Sequence, residues 1–307
     1  MRQTTEQVDV MSRLQKLHPE VFSTPPNGTT ALQAFKENKI ISPLGIEGLH
    51  SIGNSLAQLR NFYGLGVSYA TLTHNCHNRY ADAALVELPH GLKKADPIHH
   101  GVSPAGRDLI REMNRLGMIV DLSHVSADTM RDVLGAWSDS PDGTKKWNGS
   151  LAPIIFSHSS AYSVCPHPRN VPDDVLQLVK KRNSVVMVNF SPGFISCTPA
   201  PHRSDGLPDY YPPNATMEHV ADHIMHIGSL IGFEYVGLGS DFDGIPTVPQ
   251  GLEDVADFPQ LIAELLARGV SDENAANVAG RNLLRVWKDV DQVALEMQAE
   301  GVHPVED

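Results

Sequence analysis

Short apolar runs alternate with longer stretches of helical period along most of the chain. The runs that read as strands are IISPLGIEG (40–48), VSYATLTH (67–74), MIVDLSH (118–124), LAPIIFSHS (151–159), SVVMVNFS (184–191) and YVGLGSDFDG (235–244). Each is nearly continuously apolar, the pattern of a strand buried on both faces of a parallel sheet. Helical stretches lie between and after them, at 51–66, 103–117, 126–137, 171–182, 216–232, 259–269 and 272–290. The helix at 51–66 stops on a glycine, and the one at 103–117 has Ser103 as cap and Pro104 in its first turn. Two further helices are predicted at the start: 8–22, with Val8, Met11, Leu14 and Leu17 as one buried stripe, and 29–39, capped by Thr29 or Thr30. This alternation predicts an α/β fold with a parallel sheet, in one domain over 1–307. The segments 75–103, 138–150 and 198–214 are irregular and polar, and read as surface or active-site loops.

The polar residues add chemistry to this pattern. Five of the six strand runs carry a metal-binding or proton-moving residue at the C-terminal end: Glu47, His74, His124, His158 and Asp241. Strand C-termini are where both α/β barrels and open α/β sheets place their chemistry. A barrel is favoured, because in a barrel five separate strand ends converge on one axis. Each residue also has a structural reading. Glu47 is then a capping acid for the next turn, Asp243 a turn acid, Asp173 and Asp174 ordinary helix-start acids, and a lone strand-end histidine a hydrogen-bonded core group. Three histidines in the same local position fit a metal shell better, since two imidazoles and a carboxylate are a common catalytic zinc set. Arg169, in the loop HPRNVPDD, is either a surface cation or a bidentate clamp for a carboxylate. Cys76 with His74 as base is a rival nucleophile, but it leaves Glu47, His124 and His158 without a role. His99 and His100 have no strand context, and GxSxG, HExxH and Walker sequences are absent.

Composition narrows the partners. The formal net charge is -12, from 36 acidic and 24 basic residues, which disfavours nucleic acid and anionic membranes. No apolar run reaches the roughly 20 residues of a membrane span. The opening MRQTTEQVDV is too polar for a signal peptide. The cysteines are Cys76, Cys165 and Cys197, so at least one has no intrachain partner. Glycosylation sequons occur at Asn27, Asn148, Asn189 and Asn214, of which Asn189 sits in an apolar run and is predicted to be buried.

Several long stretches resemble the membrane (renal) dipeptidase family of zinc peptidases: GIEGLHSIGNSLAQLRNFYGLGVSYATLTHNCHNRYAD, GVSPAGRDLIREMNRLGMIVDLSHVS, PIIFSHSSAYSVCPHPRNVPDDVL, VVMVNFSPGFISC and VGLGSDFDGIPTVPQGLEDV. The resemblance implies a (β/α)8 TIM-type barrel with two zinc ions that hydrolyses dipeptides through a metal-bound hydroxide. It implies that Glu47 bridges the metals, that His124 and His158 complete the second metal's shell, and that His74 holds the oxygen of the tetrahedral intermediate. Arg169 is then the clamp for the substrate carboxylate and Asp241 the proton carrier. Cys165 and Cys197 match a family disulfide. The family's His-x-Asp, which binds the first zinc, does not precede Glu47 here: His18 is followed by Pro19 and Glu20. With six strand runs against the family's eight, the expectation is an N-terminally truncated, incomplete barrel. The first two strands would be missing, one zinc or none bound tightly, and the exposed edges prone to self-association as a homo-oligomer. Relatives are secreted or membrane-anchored. The competing readings are a catalytically impaired member that acts as a binding or structural protein, and an amidohydrolase-type barrel acting on a ring amide. The latter wants a strand-end His-x-His and often a modified lysine, and no strand run here ends in lysine.

Overall fold

A computed structural model of the chain describes residues 1–23, 27–136 and 147–307. The strands are β1 (Leu44–Glu47), β2 (Val67–Thr71), β3 (Leu85–Leu88), β4 (Gly91–Lys94), β5 (Ile119–Asp121), β6 (Ile155–Phe156), β7 (Val185–Val188), β8 (Cys197–Thr198), β9 (Asp209–Tyr210) and β10 (Val236–Leu238). The helices are α1 (Arg2–Leu17), α2 (Ala31–Lys36), α3 (Leu56–Gly64), α4 (Pro104–Leu116), α5 (Ala127–Leu134), α6 (Asp173–Lys181), α7 (Pro192–Ile195), α8 (Met217–Ile231), α9 (Phe258–Ala267), α10 (Asp272–Ala276) and α11 (Asn282–Ala299).

The six predicted strand runs form one six-stranded sheet in the order β1-β2-β5-β6-β7-β10. Every pairing in it is parallel. The expectation of an eight-stranded barrel missing its first two strands is corrected by this sheet. Its first two strands, β1 and β2, are in place and paired, with Glu47 opposite Thr71. The hydrophobic pattern alone yields the six strands; the deficit came only from counting them against a family. The predicted loops 75–103 and 198–214 contain small antiparallel ribbons, β3–β4 and β8–β9. Most of the third loop, at 138–146, lies outside the described residues.

The sheet separates two apolar layers by strict alternation. Val120, Phe156, Val186 and Val188 face the helix-covered core. Ile119, Ile155, Val185 and Met187 face the other way, onto Val286, Trp287 and Val290 of α11. The period of two sets these faces. Continuing it along β5 and β6 puts Asp121 and Ser157 on the same face as Ile119 and Ile155, one layer nearer the strand C-termini. The sheet is also rolled. On a flat sheet, three strand steps of about 4.8 Å would hold residues of β1 and β6 roughly 14 Å apart. Glu47 Oε1 at the end of β1 is instead 3.3 Å from His158 Nε2 just beyond β6. The core is thus barrel-like. Close backbone approach assists the curl: a Cβ on Gly239 would lie 2.0 Å from the Ser157 carbonyl oxygen.

The predicted Ser103 cap of α4 is in place, and Ser126 and Thr216 likewise accept backbone N–H groups at the starts of α5 and α8. At α2, Asn27 rather than a threonine accepts from the N–H groups of Thr29 and Thr30. The opening helix is α1, placed earlier than predicted, and its predicted stripe is buried only in part. Val8 and Gln15 face inward, whereas Leu14 and Leu17 are exposed. Gln15 turns this way because its side chain donates to the Ser42 carbonyl. Among the described residues no helix is long and apolar enough to cross a membrane.

Candidate metal centre

All five strand-end residues lie at the C-terminal rim of the rolled sheet. Glu47 is the last residue of β1, His74 follows β2, His124 follows β5, His158 follows β6 and Asp241 follows β10. His124 and Asp241 have left-handed backbones, with φ of 68° and 63°. Both are non-glycine residues held in a costly conformation, a feature that clusters at functional sites.

Three imidazoles converge on one carboxylate. His124 Nε2 lies 3.1 Å and His158 Nε2 3.3 Å from Glu47 Oε1, and His74 Nε2 lies 3.8 Å from Glu47 Oε2. The rings stand in a row, with centroids 4.3 Å apart for the tilted pair His74 and His124 and 5.0 Å for the edge-on pair His124 and His158. His124 and His158 are buried, while Glu47 and His74 are open to solvent on one side. Burial, with a smaller contribution from the Arg169 charge, pushes the pKa of both buried imidazoles far below the ordinary histidine value, so both are neutral at pH 7.

The other ring nitrogens decide what these neutral rings present. His124 Nδ1 is 3.3 Å from Asn75 Oδ1, and His158 Nδ1 is 2.8 Å from Ser157 Oγ. With Nδ1–H donating to those oxygens, each Nε2 carries a lone pair aimed at Glu47 Oε1. His158 Nε2 is buried with no hydrogen-bond partner, even though a carboxylate oxygen is within 3.3 Å. Acceptors that converge at this distance repel one another unless a cation lies among them. The donor set therefore fits a metal ion. Glu47, His74 and His124 offer ligand atoms within 4.8 Å of one another, and this is the one such group found among the described residues. His158 is nearer to Glu47 than His74 is. An N/N/O set of this kind suits zinc.

Arg169 is not a surface residue. It is 4% exposed, packs against the Phe194 ring, and its Nε and Nη2 are buried without hydrogen-bond partners. Burial lowers its pKa to about 10 while Glu47, Asp241 and Asp121 raise it, so it stays cationic at neutral pH. A buried cation with unfilled donors is costly and suits an anionic ligand. Asp241 accepts from Asn189 Nδ2 at 3.1 Å, and burial is the main cause of its raised pKa. Asn189 is buried, as the apolar run predicted. Cys165 and Cys197 form a disulfide, and Cys76 is a free, exposed thiol. Asp243 is an exposed turn residue. His99 holds a backbone carbonyl, that of Asn78, and Asp173 and Asp174 stand in the first turn of α6. Sequence reading missed Asn75, Asp121 and Ser157, which support the site from below and beside it. The available signal was polarity on an inward-facing position of a buried strand.

Comparison with known proteins is consistent across three levels. Residues 1–301 match the membrane dipeptidase family, Peptidase family M19. The chain is 43% identical to dipeptidase tcpJ of Claviceps purpurea over 99% of its own length and 63% of that protein. It is 48% identical to the uncharacterized dipeptidase C3A11.10c of Schizosaccharomyces pombe, over 95% of its own length and 63% of that protein. The chain thus spans a little under two thirds of the length of these curated relatives. Among solved structures, the probable dipeptidase PvdM of Pseudomonas aeruginosa shares the fold, with a TM-score of 0.78 at 23% identity, covering 94% of this chain and 78% of that one. A metallo peptidase from Rhodobacter sphaeroides, liganded with a phosphinate mimic of the dipeptide L-Ala-D-Ala, matches with a TM-score of 0.69 at 25% identity, covering 86% of this chain and 67% of that one.

Proposed function

The chain belongs to the membrane dipeptidase family, Peptidase family M19, and we propose that its strand-end site is that of a zinc-dependent dipeptidase. The observation that carries this reading is the convergence of the Nε2 atoms of His124 and His158 on one oxygen of Glu47. Glu47, His124 and His158 are the proposed metal ligands. A zinc ion held by these three would supply an activated water and a positive charge to polarise the scissile carbonyl. His74, farther from Glu47 and more exposed, faces the oxygen that gains negative charge as the carbonyl is attacked. Arg169 binds the substrate's free carboxylate through its unfilled donors, which limits the product side to a single residue. Asp241 takes the proton of the attacking water and delivers it to the leaving amine, so that the C–N bond breaks with both products neutralised; its raised pKa suits that exchange. The dipeptide mimic bound by the Rhodobacter sphaeroides relative supports the substrate class.

A second reading, a member with impaired turnover that acts by binding, is favoured by the single candidate metal group among the described residues. Zinc titration of the chelator-treated chain, with turnover of a dipeptide panel, separates the two. The dipeptidase reading expects turnover that is lost on chelation and restored by zinc. Zinc binding without turnover, or no zinc binding at all, overturns the dipeptidase reading and supports the second.

A further inference from the structure

Below the metal-binding layer lies a buried polar network that the reaction chemistry does not use. Asp121, on the inward face of β5, is completely buried. Its Oδ1 accepts from the backbone N–H groups of Ser123 and Ser157, at 3.0 and 2.9 Å. Its Oδ2 accepts from the hydroxyls of Thr71 and Ser157, both at 2.6 Å. Four donors fill the four acceptor positions of an ionised carboxylate. Burial raises the pKa of this group while the same four donors hold it down.

The hydroxyl of Ser157 has one hydrogen. The short contact to the carboxylate takes it, because a charge-assisted bond outcompetes the 3.2 Å contact to Ser123 Oγ. Ser157 Oγ then has only lone pairs left, and one of them faces His158 Nδ1 at 2.8 Å. A lone pair cannot meet a lone pair at that distance, so Nδ1 carries the ring proton and Nε2 does not. We infer that Asp121 and Ser157 are positioning residues that lock His158 in the tautomer whose free Nε2 lone pair faces the metal site. Without this relay the competing tautomer gains a partner: an Nε2–H would donate to Glu47 Oε1, 3.3 Å away, and block the ligand atom. Asn75 plays a weaker version of the same part for His124, through a neutral oxygen at 3.3 Å.

The inference rests on the proposed metal site, so its test has one readout that needs no metal. Long-range proton–nitrogen NMR of the 15N-labelled, metal-free chain reports the His158 tautomer, with His158→Asn assigning the signals. The wild type is expected to show a protonated Nδ1 and a bare Nε2. Ser157→Ala is expected to move the proton toward Nε2 and to weaken zinc affinity about 10–100-fold by chelator competition. Ser157→Thr, which keeps the hydroxyl, should restore both, and Asn75→Ala should leave the His158 tautomer unchanged. An Nε2–H tautomer in the wild type, or a Ser157→Ala chain with unchanged tautomer or unchanged affinity, overturns the inference. A wild type that binds no zinc overturns the metal site itself, while the NMR result still decides the hydrogen-bond assignment. Should Ser157→Ala fail to fold, the wild-type spectrum and the Ser157→Thr affinity decide alone.

Discussion

The two ends of the sheet differ in how their polar groups are satisfied, and this difference locates the chemistry. At the strand N-termini a cavity of about 680 Å³ is lined by Val8, Gln15, Leu44, Tyr63, Trp287 and Asp291, among others. Polar groups there are partnered: Gln15 donates to Ser42, and Asp291 accepts from the Gly28 N–H. At the C-termini, His158 Nε2 and two nitrogens of Arg169 are buried with no partner. Buried unpartnered groups cost stability, and a bound ion or substrate would offset that cost at this end.

The strongest way to break this comparison is to remove the shared carboxylate. Glu47→Gln keeps the shape and removes the charge. Zinc affinity and kcat/KM should fall by at least about 10²-fold, the usual loss for a single charge-stabilising group. A change of similar size from Val8→Ala, at the other end, would break it. Arg169→Met sharpens it next. It should raise KM for dipeptides while leaving zinc affinity in place, and the ligand-free chain should gain thermal stability, because a buried cation with unfilled donors is gone. Loss of stability on that substitution would show that the guanidinium serves the fold.

A pH test follows from the buried histidines. His223, on α8, accepts from the Ala161 N–H and donates to the Ile195 carbonyl. Burial lowers its pKa to about 4. The unfolded chain therefore binds more protons between about pH 6.5 and 4, so stability falls as pH drops through that window. The full effect is on the order of 3 kcal/mol. Urea denaturation at stepped pH should show the slope, and His223→Gln should flatten part of it; His167, lowered to about 3 by burial, and the equally buried His124 and His158 retain the rest. The smallest effect belongs to the cavity: Ser12→Leu, which fills space beside Val8, should leave turnover within about twofold, since that end supports stability rather than chemistry.

The sheet and the rim residues were legible because each strand run is short, apolar and closed by one conspicuous side chain. Glu47, His74, His124, His158 and Asp241 all stand out in this way. The six strands of the sheet follow from the pattern, and only the expectation of two missing first strands, taken from a family count, is overturned. The support beneath the metal site was not seen for a different reason. In VDLSH the eye goes to the terminal histidine, yet Asp121 sits two residues past Ile119 and shares its inward face. That buried acid was the visible sign of a network whose partners, Thr71 and Ser157, come from neighbouring strands. Helix α1 was misoriented because Leu14 and Leu17 offer apolar surface, whereas the helix turns to satisfy Gln15 against Ser42.

The central claim is that one cation joins three residues brought together from distant parts of the chain. A zinc-soaked crystal, with anomalous difference maps recorded on either side of the zinc edge, tests it most directly. The account predicts a zinc peak about 2.0–2.2 Å from Glu47 Oε1, His124 Nε2 and His158 Nε2. A map with no peak among these three atoms, or with zinc held elsewhere while they stay unliganded, contradicts it.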